Sequence, residues 1–349
     1  MQAALKLVLE PIFEADFHPC SYGFRPERRA QDAIAETWFL AKHSYEWVVE
    51  GDIEACFDMI DHTALMDRVR DRIGDKRVLG MVKAFLKAGI LSQDQQFRNT
   101  DTGTPQGGIL SPLLANIALS TLDEYFAQIE GGPANREWER RKRRQRGQAN
   151  YRLIRYADDF LVMVSGDREH AEQARDVVTA VLAPMGLRLS ESKTMITHID
   201  EGLDFLGWHI QRHRKRGTSR YYIYTYPSRK AVKAITVKVK TICRSNINQP
   251  LQTLIRQLNT ALRGWCAYFK PGVSAVTFAR LAEFTWDRVK RWARRKHRRI
   301  TLKTIRRRYC NGGWWPVTTE IALFNPAKMG TTRYRYRGTA IPAPWPATG

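Results

Sequence analysis

The chain is poor in features that would tie it to a membrane or an oxidising compartment. No apolar run among its 349 residues reaches the roughly 20 residues of a bilayer span. Lys6, Glu10, Glu14 and Asp16 interrupt any signal-peptide core at the front. Cysteine is scarce and scattered: Cys20, Cys56, Cys243, Cys266 and Cys310 form no Cys-x-x-Cys pair, so neither a zinc ribbon nor a disulfide framework is supported. A reducing cytoplasm is the expected setting. Acids are nearly missing from one long stretch. Between 211 and 310, Glu283 and Asp287 alone face 27 Lys and Arg, while the remaining 249 residues carry 30 bases and 33 acids. Such a segment repels itself unless a polyanion neutralises it, which marks a nucleic-acid-binding module joined to a near-neutral one. A membrane surface or a ribosome-like partner would also take the charge. The interleaved aromatics, among them Tyr221, Tyr222, Tyr224, Tyr226, Trp265, Trp286 and Trp292, favour nucleic acid because rings can stack on bases.

A hydrophobic content of 43% is that of a globular protein, and the length accommodates two domains. Leu5, Val8, Leu9, Ile12 and Phe13 have helical spacing, with Pro11 expected to kink or shorten the helix. Ser21-Tyr22-Gly23-Phe24-Arg25-Pro26 reads as a turn-rich loop bearing an exposed cation. Further helices are expected over 30–41, at 78–86 closed by Gly89, from Leu113 to Leu122, and at 171–182 closed by Gly186. Strands are expected from Trp47 and around 202–210. The basic run 140–146 reads as a mobile insertion or an RNA-contacting loop. Ser228 and Pro250 open helices, a third runs from about Ser274 toward 299, and the last forty residues look irregular. The pattern is α+β, followed by amphipathic helices that can bury their apolar stripes on one another.

Three acidic positions stand out. Tyr151 to Tyr156 and Phe160 to Val164 are strand-forming runs separated by Ala157-Asp158-Asp159, which reads as a hairpin with two carboxylates at its tip. Two unpaired carboxylates side by side are costly, and a divalent cation with oxygen ligands would offset that cost. A solvated turn is the plainer reading of the pair alone. Asp52 follows a strand, where a cap or turn role is the plainer alternative. Gly103-Thr104-Pro105-Gln106-Gly107-Gly108 lets backbone approach a ligand closely, but it is no Walker A loop, lacking Gly-Lys-Ser/Thr.

In order, Asp52-x-x-x-x-Phe57-Asp58, Thr104-Pro105-Gln106-Gly107, Tyr156-Ala157-Asp158-Asp159, Gly186-Leu187…Ser192-Lys193-Thr194 and Phe205-Leu206-Gly207 resemble a reverse transcriptase. Residues 21–26, 103–112 and the helix containing Leu258-Asn259…Arg263-Gly264-Trp265…Tyr268-Phe269 resemble group II intron maturases, and the likeness covers about residues 1–310. It implies a right-hand palm with partial fingers at 1–227, a helical thumb and maturase domain at 228–310, and a tail at 311–349. It also implies two Mg²⁺ ions held by Asp52, Asp158 and Asp159, with the Ile53 carbonyl completing a shell. Phe57 would sense the sugar and Gln106 line the nucleotide pocket, while Arg25 and Tyr22 would touch template or nucleotide. Lys193 would assist phosphate chemistry. For Phe57 and Lys193 a core ring and a solvated turn lysine are the plainer alternatives. Phe205, Leu206 and Gly207 would support the primer end. Arg263, Arg294, Arg295, Lys296, Arg298 and Arg299 would grip intron RNA.

The implied activity is RNA-directed DNA polymerisation with assistance to intron splicing, using intron RNA, a DNA primer or target, and dNTPs. The family's upstream triphosphate-binding fingers cations have no counterpart, which leaves a catalytically silent RNA-binding splicing factor as the alternative. A retron-type or diversity-generating polymerase is a third reading. After His297 there is no histidine and only Cys310, so no His/Asn/His endonuclease is expected.

Overall fold

The computed structural model describes residues 1–87, 90–91, 97–98, 102–104, 108–245, 247–297, 299–338 and 340–345. Gly89, Pro105, Gln106, Gly107 and Arg298 lie outside the described residues. By packing, the chain forms two compact units, Met1–Gly202 with Tyr336–Gly349, and Leu203–Arg335. The packing boundary thus falls ahead of the 227/228 boundary read from the sequence, because the hairpin after Gly202 folds with the helices that follow it.

The first unit contains α1 (Gln2–Glu14), α2 (Ala30–Lys42), β1 (Trp47–Gly51), α3 (Cys56–Met59), α4 (His62–Arg70), α5 (Lys76–Lys87), β2 (Ile90–Leu91), β3 (Phe97–Arg98), α6 (Ser111–Gln128), α7 (Glu137–Gln145), β4 (Asn150–Tyr156), β5 (Asp159–Ser165), α8 (Arg168–Leu182) and β6 (Met195–His198). Four strands form an antiparallel sheet in the order β4-β5-β1-β6. Strand β5 is buried from Phe160 to Ser165, as its unbroken apolar run requires of a central strand with both faces covered. Phe160, Val162 and Val164 join one core with Leu114, Leu122 and Phe126 of α6 and Ala171, Val178 and Leu182 of α8. Helix α2 packs on β4 and β5.

Helix α1 runs through Pro11 without interruption. Leu7, whose carbonyl loses its partner to the proline, is 74% exposed, so water can take over that bond. The basic run 140–146 is not a mobile loop. It lies in and just after α7, which is pinned by Asn150 Nδ2 donating to the Arg140 carbonyl (3.0 Å) and by the Arg143–Glu130 ion pair (2.8 Å).

The second unit comprises β7 (Leu203–Phe205), β8 (Trp208–Arg214), β9 (Tyr221–Pro227), α9 (Arg229–Ser245), α10 (Leu251–Phe269), α11 (Ala275–Lys296) and α12 (Leu302–Tyr309). The three strands form an antiparallel meander. Ile235 and Val239 of α9, Leu258 and Leu262 of α10, and Phe278, Val289 and Trp292 of α11 are buried, following the helical stripes in the sequence. The segment beyond α12 is largely irregular yet fixed in place. Buried Asn259 donates to the Ala322 carbonyl (2.9 Å) and accepts from the Phe324 amide (2.6 Å), meeting backbone groups that no strand pairs.

Candidate active site

The acidic hairpin closes on two residues. Tyr156 pairs with Asp159, leaving Ala157 and Asp158 as the turn, with Ala157 at φ 58°. On the other side of β5, Gly51 of β1 pairs with Phe160. Continuing that register by one residue brings Asp52 opposite Asp159. Two strand ends distant in sequence therefore deliver carboxylates to one edge of the sheet. Gly51 is required there, because a Cβ at this position would lie 1.9 Å from the Phe160 ring.

Beyond Asp52 the chain pairs with its other neighbour again, in a register shifted by three residues. Leu189 bridges Ile53, the Asp52 carbonyl accepts from the Ser190 amide (2.8 Å), and β6 then pairs with β1 from Met195 onward. Residues 190–194 bulge between those two pairings. The bulge returns Lys193 Nζ to 2.9 Å from Asp52 Oδ2, with the lysine side chain 68% exposed. The hydrogen bond and charge of Asp52, reinforced by Glu54 and Asp159, raise the Lys193 pKa and keep it cationic. The Ile53 side chain is buried in the core.

Phe57 lies half-buried on α3 against the core. Its carbonyl accepts from the Thr104 amide, while the Gly103 amide donates to the Ile60 carbonyl (2.8 Å). The glycine-containing segment thus begins on the turn that carries Phe57, and at φ 83° Gly103 passes so close to Asp58 that a Cβ would meet its backbone at 2.6 Å. Gln106 itself lies outside the described residues.

Arg25 requires correction. It is 6% exposed, not an exposed cation. Its Nε and Nη2 donate to buried Glu14, Nη2 also to the Phe17 carbonyl, and Nη1 to the carbonyls of His18 and Ser21. All five N–H groups are engaged, so none is left for a nucleotide. Tyr22 is buried as well, its amide donating to the Arg155 carbonyl (2.8 Å).

That hydrogen bond leads to a group that the motifs alone do not single out. Arg155, one residue before Tyr156, is fully buried within β4. Its Nε donates to Asp123 Oδ1 (2.8 Å) and its Nη2 to Asp123 Oδ2; Nη1 reaches Asn116 Oδ1 (2.8 Å) and the Ala157 carbonyl (3.1 Å). Burial works against its charge, but the charge and hydrogen bond of Asp123 outweigh burial and raise its pKa. Asn116 in turn donates to the Gly23 carbonyl (2.9 Å), and Gly23 lies so close to the turn that a Cβ would come 2.2 Å from the Ala157 amide nitrogen. The Ser-Tyr-Gly segment and α6 therefore hold the Asp158 turn from beneath. A second arginine, after Arg152, set between Ile154 and Tyr156 in the strand run was the signal available in the sequence.

Among the described residues no three His, Cys, Asp or Glu side chains are gathered to hold a metal ion. Asp52 is turned to Lys193. The donor chemistry at the strand ends is nevertheless hard carboxylate oxygen, the type Mg²⁺ takes.

In the second unit, Phe205-Leu206-Gly207-Trp208 is a tight hairpin with Leu206 at φ 49° and Gly207 at φ 79°, as a primed two-residue turn demands. Tyr268 Oη donates to the Leu206 carbonyl (2.8 Å), fixing the turn on α10. Arg263, Arg294, Arg295 and Arg299 are exposed. Arg263 lies over the Phe324 ring at 5.0 Å, and Lys296 donates to the Gln249 carbonyl (2.6 Å). Arg298 is outside the described residues. Among the described residues no helix is long and apolar enough to cross a membrane.

Comparison with known proteins gives the chain's family. The family described as reverse transcriptase (RNA-dependent DNA polymerase) matches residues 1–210, and the group II intron maturase-specific domain matches residues 232–310. Protein YkfC of Escherichia coli is 36% identical over 249 residues, covering 66% of this chain and 65% of that protein. The group II intron-encoded protein LtrA of Lactococcus lactis is 35% identical over 262 residues, covering 62% of this chain and 43% of that protein. The chain therefore spans less than two thirds of the length of either relative. The solved structure of apo telomerase from Candida tropicalis covers 87% of this chain and 60% of its own at 13% identity, with a TM-score of 0.47. With more than half of its length in the first match and the second following in order, the chain belongs to the reverse transcriptase family, in its group II intron maturase branch.

Proposed function

We propose that the chain is an RNA-directed DNA polymerase of a group II intron that also assists splicing of intron RNA. The observation that carries this reading is the β1–β5 register, which sets Asp52 opposite Asp159 at the edge where Asp158 turns, in a chain of this family. Asp52, Asp158 and Asp159 would hold Mg²⁺. When bound, the metal would supply Lewis-acid activation of a primer 3′-hydroxyl and charge stabilisation of departing pyrophosphate. The chain's own residues position and neutralise. Lys193 balances Asp52 and would meet the charge of an arriving polyphosphate, and moving it off Asp52 frees that carboxylate. The half-buried Phe57 ring, fixed by the core on one side, is suited to abut the sugar of a dNTP. Gln106 and the Ile53 carbonyl complete the proposed nucleotide pocket.

Phe205, Leu206 and Gly207 form a rigid turn suited to support a primer end. Exposed Arg263, Arg294, Arg295 and Arg299, with Lys296 and Arg298, would take intron RNA phosphates in a salt-dependent manner. The five free cysteines among the described residues fit a reducing, cytoplasmic setting.

Primer extension by the full chain on an RNA template with Mg²⁺ and dNTPs tests the polymerase reading. Asp158→Asn/Asp159→Asn should lose extension by several orders of magnitude while retaining RNA binding. Equal extension by the variant and the wild type would overturn the metal assignment.

A further inference from the structure

Residues 211–231 fall between the two family matches, and most of them form the outer part of the β8–β9 ribbon. The alternation of strand side chains sorts this ribbon into two faces. Trp208, Ile210 and Pro227 are buried on one face, where the Trp208 ring lies 4.8 Å from that of Phe269 in α10 and the Thr225 carbonyl accepts from the Val273 amide (2.8 Å). The register puts His209, Gln211 and His213 with Tyr226, Tyr224 and Tyr222 on the opposite face. Ring centroids there are 5.1 Å apart for His209–Tyr226, 5.8 Å for His213–Tyr224 and 6.5 Å for Tyr222–Tyr224. Tyr222 is 42% exposed, while Tyr224 and Tyr226 are half-buried, flanked by one another and by the histidines.

The ribbon ends in a cationic tip. Arg214, Lys215, Arg216 and Arg220 are exposed, and no acid occurs between Gln211 and Tyr226. Arg214 Nε donates to the Thr218 carbonyl (2.9 Å) and the Lys215 amide to the Arg220 carbonyl (2.9 Å), with Gly217 at φ 74° making the turn. The tip is thus a formed structure.

We infer that this face is a stacking platform for single-stranded RNA, with the tip holding the same strand by its phosphates. A sheet stabilised only by its own side chains has no need of three tyrosines in alternate positions of a partly exposed strand beside a run of cations with no acid in the same ribbon. Alternate residues of a strand lie about 6.8 Å apart, a step over which successive unstacked bases of an extended strand can each meet a ring. Ring faces are useful only for bases already out of a duplex, since A-form RNA offers phosphates and hydroxyls but hides its base faces in the stack. The charge requires a polyanion and the rings require exposed bases; single-stranded RNA has both. The inference rests on the RNA-handling reading but does not depend on polymerisation.

The test is fluorescence anisotropy of the full chain with a labelled single-stranded RNA of twelve uridines and with a labelled RNA duplex, at several salt concentrations. Tyr222→Ala/Tyr224→Ala should weaken single-strand binding by about 5- to 150-fold per base unstacked. Duplex binding and the salt slope should stay unchanged, and Tyr222→Phe/Tyr224→Phe should bind as the wild type does. Arg214→Gln/Arg216→Gln/Arg220→Gln should lower the single-strand salt slope by about 0.7 for each phosphate no longer neutralised. Tyr222→Ala alone, at the most exposed ring, keeps the test valid if the double variant unfolds. Single-strand affinity unchanged in the alanine variants would overturn the platform alone. An equal drop in affinity for single strand and duplex would overturn it too, because it would mean weakened charge attraction or a damaged fold. A wild type that binds neither RNA would overturn the RNA-handling reading along with it.

Discussion

Asp123→Asn tests whether the Arg155 cluster holds the acidic turn in place. Arg155 and Asp123 are both fully buried, and the carboxylate takes two of the guanidinium's bonds. Asparagine keeps the shape but removes the charge and turns an N–H₂ toward an Arg155 N–H. Removing one partner of a buried pair costs about 3–5 kcal/mol, because the other charge is left uncompensated. Asn116 and the Ala157 carbonyl still accept from Arg155, so the lower end, about 3 kcal/mol, applies. For a unit of about 200 residues, each kcal/mol shifts Tm by roughly 2–4 °C, which gives a fall of about 6–12 °C.

A companion variant, Arg155→Met/Asp123→Leu, removes both charges. It should recover much of this stability, less about 1–3 kcal/mol for polar atoms left without a donor. Primer extension should not recover with it, since the bond to the Ala157 carbonyl is gone. Thermal unfolding and primer extension on the same preparations read the two effects separately. A Tm for Asp123→Asn within about 2 °C of the wild type would refute the energetic argument. Full extension by the double variant would refute the positioning argument.

Gly23→Ala drives a methyl against the Ala157 amide nitrogen, at 2.2 Å before relaxation, and should cut primer extension and lower Tm, whereas Gly74→Ala, where the Cβ meets open space, should change neither. Arg337→Ala strips a two-point partner (2.8 and 2.6 Å) from Asp32, itself 4% exposed, and should cost about 1–3 kcal/mol and speed protease cleavage near residue 336. Burial raises the thiol pKa of all five cysteines, with Cys243 pushed up to about 11 and Cys56 and Cys266 to about 12. Native protein at pH 8 should therefore react slowly with a thiol reagent at all five cysteines, half-buried Cys20 included because its pKa too is raised well above the ordinary thiol value, and give all five thiols on unfolding. The same shifts fix a sign: thiols of the unfolded chain ionise near about pH 8.5, so this contribution is complete below that pH and is lost as pH rises toward 11–12, where denaturant midpoints should fall.

The chemistry of this protein was legible in its sequence wherever that chemistry is local. Hydrophobic spacing placed α2, α6, α8 and the three long basic helices, and the Tyr151–Val164 run gave a hairpin, with its tip read at Asp158-Asp159 where the observed turn is Ala157-Asp158 and Asp159 already pairs in β5. The order of short motifs named the family because each residue type there answers a chemical need. Charge was legible too, since the missing acids of 211–310 are a matter of counting.

Contacts between distant segments were not legible. The approach of Asp52 to Asp159 depends on which strands pair and in what register, and sequence spacing alone does not specify that. Arg25 looked like a free cation until tertiary packing enclosed it with Glu14 and three carbonyls. Arg155 looked like an irregularity in an apolar strand until α6 supplied Asp123 and Asn116 to it. For both arginines the side chain's character was fixed by composition, and its role by the partners that folding brought to it. A buried guanidinium must satisfy its donors, and only the three-dimensional arrangement determines with what.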